Sequence, residues 1–246
     1  MKKKYLSEIE FHDYKAKTIH AESMYNQGAI EEPYKKMMTI VGDLQGKKIL
    51  DLGCGIGWAS VDYAMKGASV IGLDISMELI KRAKLLVRNK NLKSKIYFVQ
   101  GSGEYLPFKK KFDLVTGVAI LHHLDFKRTV QTLKKTLRAN GRCIFMEPLD
   151  HNPAIKLFRL LTPKRRTEDE KPLTMDLITS IKNDFPSVNI YGYHLLSLLS
   201  FAFLPIKAYH LFRKTNKFLT SIDNAIFKSF PKVQKYCWGV IIEIKM

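Results

Sequence analysis

Short apolar runs alternate with helix-patterned segments between about residues 47 and 147. Ser76, a residue type favoured as an N-cap, precedes one of these segments. Strands that alternate with helices predict right-handed βαβ units and a parallel sheet. The predicted strands are 47–52, 68–73, 95–100, 112–118 and 142–146, with a turn at 140–141 and helices at 58–66, 77–89 and 126–137.

The flanking parts of the chain are less regular. Residues 1–45 have a polar helical pattern, and five prolines interrupt 148–186. Further along, we predict a strand at 188–194, two or three helices within 195–230 and a final strand at 236–244. We expect one domain over 1–246, consisting of an N-terminal helical lid (1–45), a core (46–147) and an acceptor or insertion region with the last strands (148–246).

The cysteines and the N-terminus favour a cytoplasmic protein. Cys54, Cys143 and Cys237 are odd in number and far apart, so they predict neither a disulfide framework nor a metal site. The basic N-terminus lacks a following apolar segment, as a secretory signal would require. No run of 18 apolar residues predicts a spanning helix.

The charge balance indicates an anionic partner. Lysine and arginine outnumber aspartate and glutamate by 41 to 23, which gives a net charge of +18. Such an excess favours nucleic acid, an acidic membrane face or a phosphorylated substrate. The alternative is a basic surface that is merely solvated.

The most informative segment is the glycine-rich turn DLGCGIG at 51–57. Glycines after a strand let the backbone approach a ligand closely, and Asp74 at the next strand end is placed to bind ribose hydroxyls. A dinucleotide fingerprint requires a glycine where Trp58 stands, and Asp51 suits a cationic amino group better than a pyrophosphate. S-adenosylmethionine combines ribose, adenine and an amino acid without phosphate.

Five segments in order resemble the successive motifs of class I S-adenosylmethionine-dependent methyltransferases. The resemblance implies an α/β fold with a Rossmann-like, doubly wound seven-stranded sheet, mostly parallel with the last strand antiparallel, and a helical insertion in the C-terminal half. It also implies S-adenosyl-L-methionine as cofactor and S-adenosyl-L-homocysteine as product. The segments are DLGCGIG (51–57), GLDIS (72–76), GSGEYLPF (101–108), FDLVTGVAILHHL (112–124) and LRANGRCIFMEP (137–148).

The same resemblance implies the cofactor-binding residues. The glycines would admit the methionine moiety, Asp51 would lie near its ammonium group and Asp74 would hold the ribose. Glu104 is expected to cap its loop rather than to contact the ligand. The implied cofactor-binding residues are Asp51, Gly53, Cys54, Gly55, Asp74, Ile75, Ser102, Gly103 and Val118.

Three residues are candidates for catalysis. A base is needed only when the acceptor is a hydroxyl or a protonated amine. His122 and His123 follow the fourth predicted strand, where acceptors bind in this fold, and the alternative is that they pack on the cofactor or cap a helix. Tyr14 lies in the FHDYKA run, which resembles a helix that closes over the cofactor in small-molecule and lipid methyltransferases, although it could also be a surface residue.

The acceptor is predicted from the less regular C-terminal part of the chain, 148–246. Apolar residues mix with basic ones in 195–219, as in an interfacial helix on an anionic membrane, and the alternative is a lid over the site. A basic run lies at 163–166. We expect a small amphipathic or lipid-linked acceptor, such as a quinone-like ring or a polyprenyl-linked sugar, on a cytoplasmic protein that is peripheral to the membrane.

Two alternatives belong to other classes. The charge also suits an RNA methyltransferase, but no separate RNA-binding module is evident. The fourth predicted strand is followed by VAILHHL, which is not the motif of DNA amino-group methylases, and no cysteine is placed to attack a pyrimidine. A non-catalytic cofactor-binding partner or sensor would bind the cofactor without turnover.

Overall fold

A seven-stranded sheet organises the chain. The computed structural model describes residues 2–18, 30–90, 92, 95–109, 111–162 and 170–246. The strand order is β3-β2-β1-β4-β5-β7-β6, and β7 runs antiparallel to both of its neighbours while the other pairs are parallel. The predicted fold class is therefore confirmed. The strands are β1 (Lys48–Leu52), β2 (Ser69–Asp74), β3 (Ile96–Gln100), β4 (Phe112–Val118), β5 (Leu137–Pro148), β6 (Ser187–Tyr193) and β7 (Gly239–Lys245).

Helices cover both faces of the sheet. Leu50 and Leu52 of β1 contribute to one buried apolar cluster, and Ile49, which precedes them, contributes to the other. Because both faces are buried, the strands are almost continuously apolar. The α-helices are α1 (Lys2–Thr18), α2 (Glu31–Val41), α3 (Trp58–Met65), α4 (Met77–Asn89), α5 (Phe126–Thr136), α6 (Pro153–Leu161), α7 (Met175–Thr179) and α8 (Tyr209–Ser229).

The fifth strand is longer than predicted. It begins at Leu137 and passes through the predicted turn at Asn140–Gly141. Asn140 has a left-handed φ of 63°, and the pairing with β4 changes register between Phe112 and Leu114. The turn residues therefore produce an irregularity within the strand, because pairing with β4 resumes directly after them.

The C-terminal half differs from its prediction mainly in helix type. The apolar segment after β6 forms a 3₁₀ helix (Ser197–Phe203), and α8 follows it. Another 3₁₀ helix (Pro231–Tyr236) replaces the first residue of the predicted last strand, so β7 begins at Gly239. The 3₁₀ helix 197–203 starts against Asp223 of α8, whose carboxylate accepts the backbone N–H groups of Leu195, Leu196 and Ser197 at 2.8–3.2 Å.

Candidate active site

The glycine-rich turn connects β1 with α3 and borders open space. Gly53, Gly55 and Gly57 have φ values of 64°, 54° and 80°, which residues with a side chain rarely adopt. A Cβ on Gly53 would lie 2.6 Å from the side chain of Ile120, whereas one on Gly55 would meet no atom within 4 Å. The turn thus packs tightly at its first glycine and leaves room for a ligand at its second.

Asp74 links the end of β2 to this turn. Its Oδ2 accepts the backbone N–H of Gly55 at 2.8 Å, and its Oδ1 accepts that of Ser76 at 2.9 Å. Burial raises the pKa of Asp74, and these backbone bonds oppose the rise. Ser76, not Asp74, is the N-cap of α4, because its Oγ accepts the N–H of Leu79. The adjacent Ile75 is half-buried.

Asp51 is a second buried carboxylate beside the turn. Ser60 Oγ donates to its Oδ2 at 2.6 Å, and the side chain is almost fully buried. Burial raises the pKa of Asp51 to about 7, and the nearby Asp74 adds to the rise. A cationic group bound here would favour the charged forms of both carboxylates.

Two other predicted cofactor residues lie in the loop after β3. Ser102 Oγ accepts the N–H of Glu104 at 3.2 Å. Gly103 is buried, and a Cβ there would lie 2.7 Å from Leu124 Cδ1, so close packing requires glycine at this position. Glu104 Oε1 accepts the N–H of Asp125 at 2.8 Å, which connects this loop to the start of α5.

The remaining two candidates flank the turn. The Cys54 thiol is buried, and burial raises its pKa well above the ordinary value, so the thiolate nucleophile is disfavoured. Val118 is half-buried at the end of β4 and packs against the apolar cluster on one face of the sheet. The predicted cofactor residues thus lie along the carboxyl ends of adjacent parallel strands and in the loops that follow them.

Glu147 organises the segment after β4. This fully buried residue of β5 accepts the N–H groups of Ile120 and Leu121 on Oε1 at 2.9 and 2.8 Å. Its Oε2 lies 2.7 Å from His122 Nδ1. The carboxylate therefore orients the His122 ring and holds the turn that begins at Ala119, whose φ is 55°.

The first helix reaches this edge of the sheet. Asp13 Oδ1 accepts hydrogen bonds from Ser76 Oγ and, at 3.4 Å, from the N–H of Glu78. The His12 and His123 rings are 5.4 Å apart, and both approach Glu8. Tyr14 is 68% exposed, whereas the rings of His122 and His123 pack against each other with centroids 4.2 Å apart.

The sequence prediction did not include Glu8 and Asp13. The signal for Glu8 was its spacing from His12, one helical turn along a helix already expected to cover the site. The basic run at 163–166 lies outside the described residues. Within the parts of the chain that the structure describes, no helix is both long and apolar enough to cross a membrane.

The central part of the chain is similar in sequence to a known protein family. Residues 50–145 match the model of a family described as methyltransferase domain. The ubiquinone biosynthesis O-methyltransferase of Psychrobacter cryohalolentis is 34% identical over 121 residues, which are 48% of this chain and 47% of that protein. The demethylmenaquinone methyltransferase of Lactococcus lactis is 33% identical over 129 residues, half of each chain. The chain thus matches about half the length of these curated relatives.

Structure comparisons extend the similarity of the fold. A methyltransferase of Mesorhizobium loti, described as dependent on S-adenosylmethionine, has a TM-score of 0.60 at 16% identity, covering 87% of this chain and 97% of that one. The geranyl diphosphate C-methyltransferase of Streptomyces coelicolor has a TM-score of 0.62 at 16% identity, covering 93% and 82%. At this identity the comparison establishes the architecture of the sheet and its helices.

Proposed function

Since residues 50–145 place this chain among the class I S-adenosylmethionine-dependent methyltransferases, we propose that it methylates a small amphipathic or lipid-linked acceptor. The observation that carries the proposal is the glycine turn with its two buried carboxylates. Asp51 and Asp74 border the turn, and open space adjoins Gly55. This arrangement suits a ligand that carries both an ammonium group and a ribose.

The residues present fit the cofactor. The space beside Gly55 admits a ligand against the backbone, and Asp74 offers a carboxylate that would accept ribose hydroxyls. Asp51 would face the ammonium group of the methionine moiety. Ile75 and Val118, both half-buried, would provide apolar contacts, and Ser102 and Gly103 would border the adenine.

The chemistry requires alignment more than activation. S-adenosylmethionine supplies a methyl group already activated by its sulfonium. The protein must hold the acceptor in line with that group and exclude water. The α1 helix, docked through Asp13 onto the start of α4, would close the site.

His122 is the residue that we propose as general base where the acceptor is a hydroxyl. Glu147 Oε2, 2.7 Å from Nδ1, would fix the ring in the tautomer whose Nε2 accepts a proton. His123, packed against His122 with ring centroids 4.2 Å apart, and Tyr14 remain predicted acceptor contacts. In this proposal the Glu147 side chain is a positioning group, since it acts through His122.

Two observations support an amphipathic acceptor. The curated relatives are named for ubiquinone and menaquinone methylation, and quinones combine a polar ring with an apolar tail. In addition, exposed apolar side chains occur among the basic residues of 195–219, including Leu199 at 69% and Ile206 at 70% exposure. Such a surface would bring the site to an anionic membrane that contains a lipid-linked acceptor.

Transfer of labelled methyl from S-adenosylmethionine tests the proposal. Wild type, Asp74→Ala and the matched control Asp184→Ala, an exposed acid, are incubated with separated lipid and RNA extracts. We expect label in the lipid fraction with wild type and Asp184→Ala. The Asp74→Ala variant should lose transfer at least about tenfold, because the ribose hydroxyls lose a buried acceptor.

Other results of the labelled-methyl experiment would indicate other functions. Label that enters RNA would replace the lipid acceptor with a nucleic acid and make the basic surface a phosphate-binding face. Tight cofactor binding without label in either extract would indicate a non-catalytic binding partner or sensor. Equal loss in Asp74→Ala and Asp184→Ala would remove the assignment of Asp74 to the cofactor.

A further inference from the structure

Three side chains from distant parts of the chain converge beside the catalytic edge of the sheet. Glu8 and His12 are one turn apart on α1, and His123 follows β4. Glu8 Oε2 lies 3.4 Å from His12 Nε2 and 3.2 Å from His123 Nδ1. The ligand atoms of all three residues lie within 4.8 Å of one another.

The contact between His123 Nδ1 and Glu8 Oε2 does not have the geometry of a hydrogen bond. Its Nδ1 is buried and forms no hydrogen bond of acceptable geometry with the described residues, although Glu8 Oε2 is only 3.2 Å away. A buried imidazole nitrogen normally has a partner, so this one requires an explanation. Glu8 itself is only 5% exposed, so its carboxylate is also withdrawn from solvent.

We propose that Glu8, His12 and His123 bind a divalent transition-metal ion of the zinc type. Metal–ligand bonds of about 2.1 Å in tetrahedral arrangement separate neighbouring ligand atoms by about 3.4 Å. The two separations from Glu8, 3.4 and 3.2 Å, agree with that value, and the two imidazole nitrogens lie within 4.8 Å of each other. Two imidazoles and one carboxylate suit Zn²⁺ and Fe²⁺ better than Mg²⁺ or Ca²⁺, which prefer oxygen ligands.

A second grouping, His122, His123 and Glu170, shares one of these residues. Its members are already engaged, because His122 Nδ1 bonds Glu147 and Glu170 pairs with Arg159 at 2.7 Å. In the Glu8 grouping, one carboxylate oxygen lies within 3.4 Å of both imidazole nitrogens, and this geometry makes it the better site. Three protein ligands also leave a coordination position open, as in catalytic zinc sites. If the proposed function holds, an oxygen of the acceptor is the ligand class for that position.

Metal titration of the complete chain tests the site. Co²⁺ is added to wild type and followed by its visible absorption bands, and Zn²⁺ binding is measured by calorimetry. We expect one equivalent to bind to wild type. His12→Ala, His123→Ala and Glu8→Gln should each weaken binding by at least about tenfold, since even the loss of an outer-shell partner costs that much. His210→Ala, which removes an exposed histidine of α8, should bind as wild type.

The same variants distinguish a loss of metal binding from a loss of folding. Zn²⁺ should raise the melting temperature of wild type and of His210→Ala, but not that of His123→Ala, and S-adenosylmethionine binding reports that each variant is folded. Absence of stoichiometric binding to wild type would overturn the site, as would binding lost in Glu170→Gln but kept in Glu8→Gln. Metal binding without methyl transfer leaves the site standing and contradicts the proposed function, and transfer without metal binding does the reverse.

Discussion

At the residue scale, the site depends on carboxylates that the fold withdraws from water. Asp51, Asp74 and Glu147 are each less than a tenth exposed, and each accepts hydrogen bonds from neighbouring side chains or backbone. Buried carboxylates are costly unless they are bonded in this way. The hydrogen bonds that stabilise the Asp74 carboxylate also fix the glycine turn. Those that stabilise Glu147 also fix the segment after β4.

The raised pKa of Asp51 predicts a pH-dependent affinity for the cofactor. With a pKa of about 7, the carboxyl is largely protonated below that pH and charged above it. If it holds the ammonium group, the affinity of wild type for S-adenosylmethionine should rise between pH 6 and 8, by up to about tenfold per pH unit below the pKa. Calorimetry should show no such rise in Asp51→Asn, whereas Asp184→Asn should match wild type. The same slope in Asp51→Asn would contradict the assignment.

Asp51 also makes a pH-dependent contribution to the free energy of unfolding. Its folded pKa of about 7 exceeds the ordinary value of 3.8, so the folded protein holds a proton that the unfolded chain releases. The contribution of Asp51 to the free energy of unfolding is thus fully present below pH 3.8 and declines as the pH rises to about 7. In urea unfolding, the difference between wild type and Asp51→Asn should change in that direction.

At the element scale, polar contacts attach α1 to the core. Asp13 accepts bonds from Ser76 Oγ and from the N–H of Glu78 at the start of α4, where helix N–H groups and the helix dipole favour a carboxylate. His12 and His123 add contacts through Glu8.

Removal of the Asp13 carboxylate should therefore release α1. In Asp13→Ala we expect trypsin to cleave after Lys15 or Lys17 several times faster than in wild type, and S-adenosylmethionine to protect the helix less. Limited proteolysis followed by mass spectrometry measures both. Glu10→Ala, which removes an exposed carboxylate from the same helix, is the control. Equal cleavage of both variants would show that Asp13 does not anchor α1.

At the scale of the whole molecule, charge and apolar exposure coincide. The net charge is +18, and the exposed apolar residues of the C-terminal half are interspersed with lysines and arginines. The α6 helix has no buried residue, and Leu160 and Leu161 are 77% and 73% exposed. Both features fit a surface that meets an anionic lipid layer, where basic groups contact headgroups and apolar groups enter the acyl boundary.

Vesicle sedimentation tests this surface. Wild type should bind vesicles that contain phosphatidylglycerol, bind phosphatidylcholine vesicles weakly, and dissociate as salt is raised. The double variant Leu199→Ser and Ile206→Ser should bind at least about tenfold more weakly, because each buried aliphatic side chain contributes about 1.5–3 kcal/mol. Leu85→Ser, which changes an exposed leucine of α4, should bind as wild type. Equal binding to both vesicle types would contradict an electrostatic contribution.

The sheet and the glycine-rich turn follow from local signals in the sequence. Strand β4 and helix α4 have the predicted bounds, because apolar runs and Ser76 are local signals that tertiary contacts did not overrule. Likewise, the turn between β1 and α3 was predictable, since its glycines carry left-handed backbone that other residues avoid. The continuation of β5 through Asn140 was not, because pairing with β4 rather than local propensity decides where that strand begins.

The meeting of side chains from distant parts of the chain depends on how the elements pack. Glu8 and His123 are far apart in sequence and lie in elements that no local pattern pairs, so the prediction included His123 but did not bring Glu8 to it. Glu147 could be placed at a strand end, but its bonds to Ile120, Leu121 and His122 depend on the register of β5 against β4. Local chemistry sets the elements, whereas the packing of one element on another sets the site.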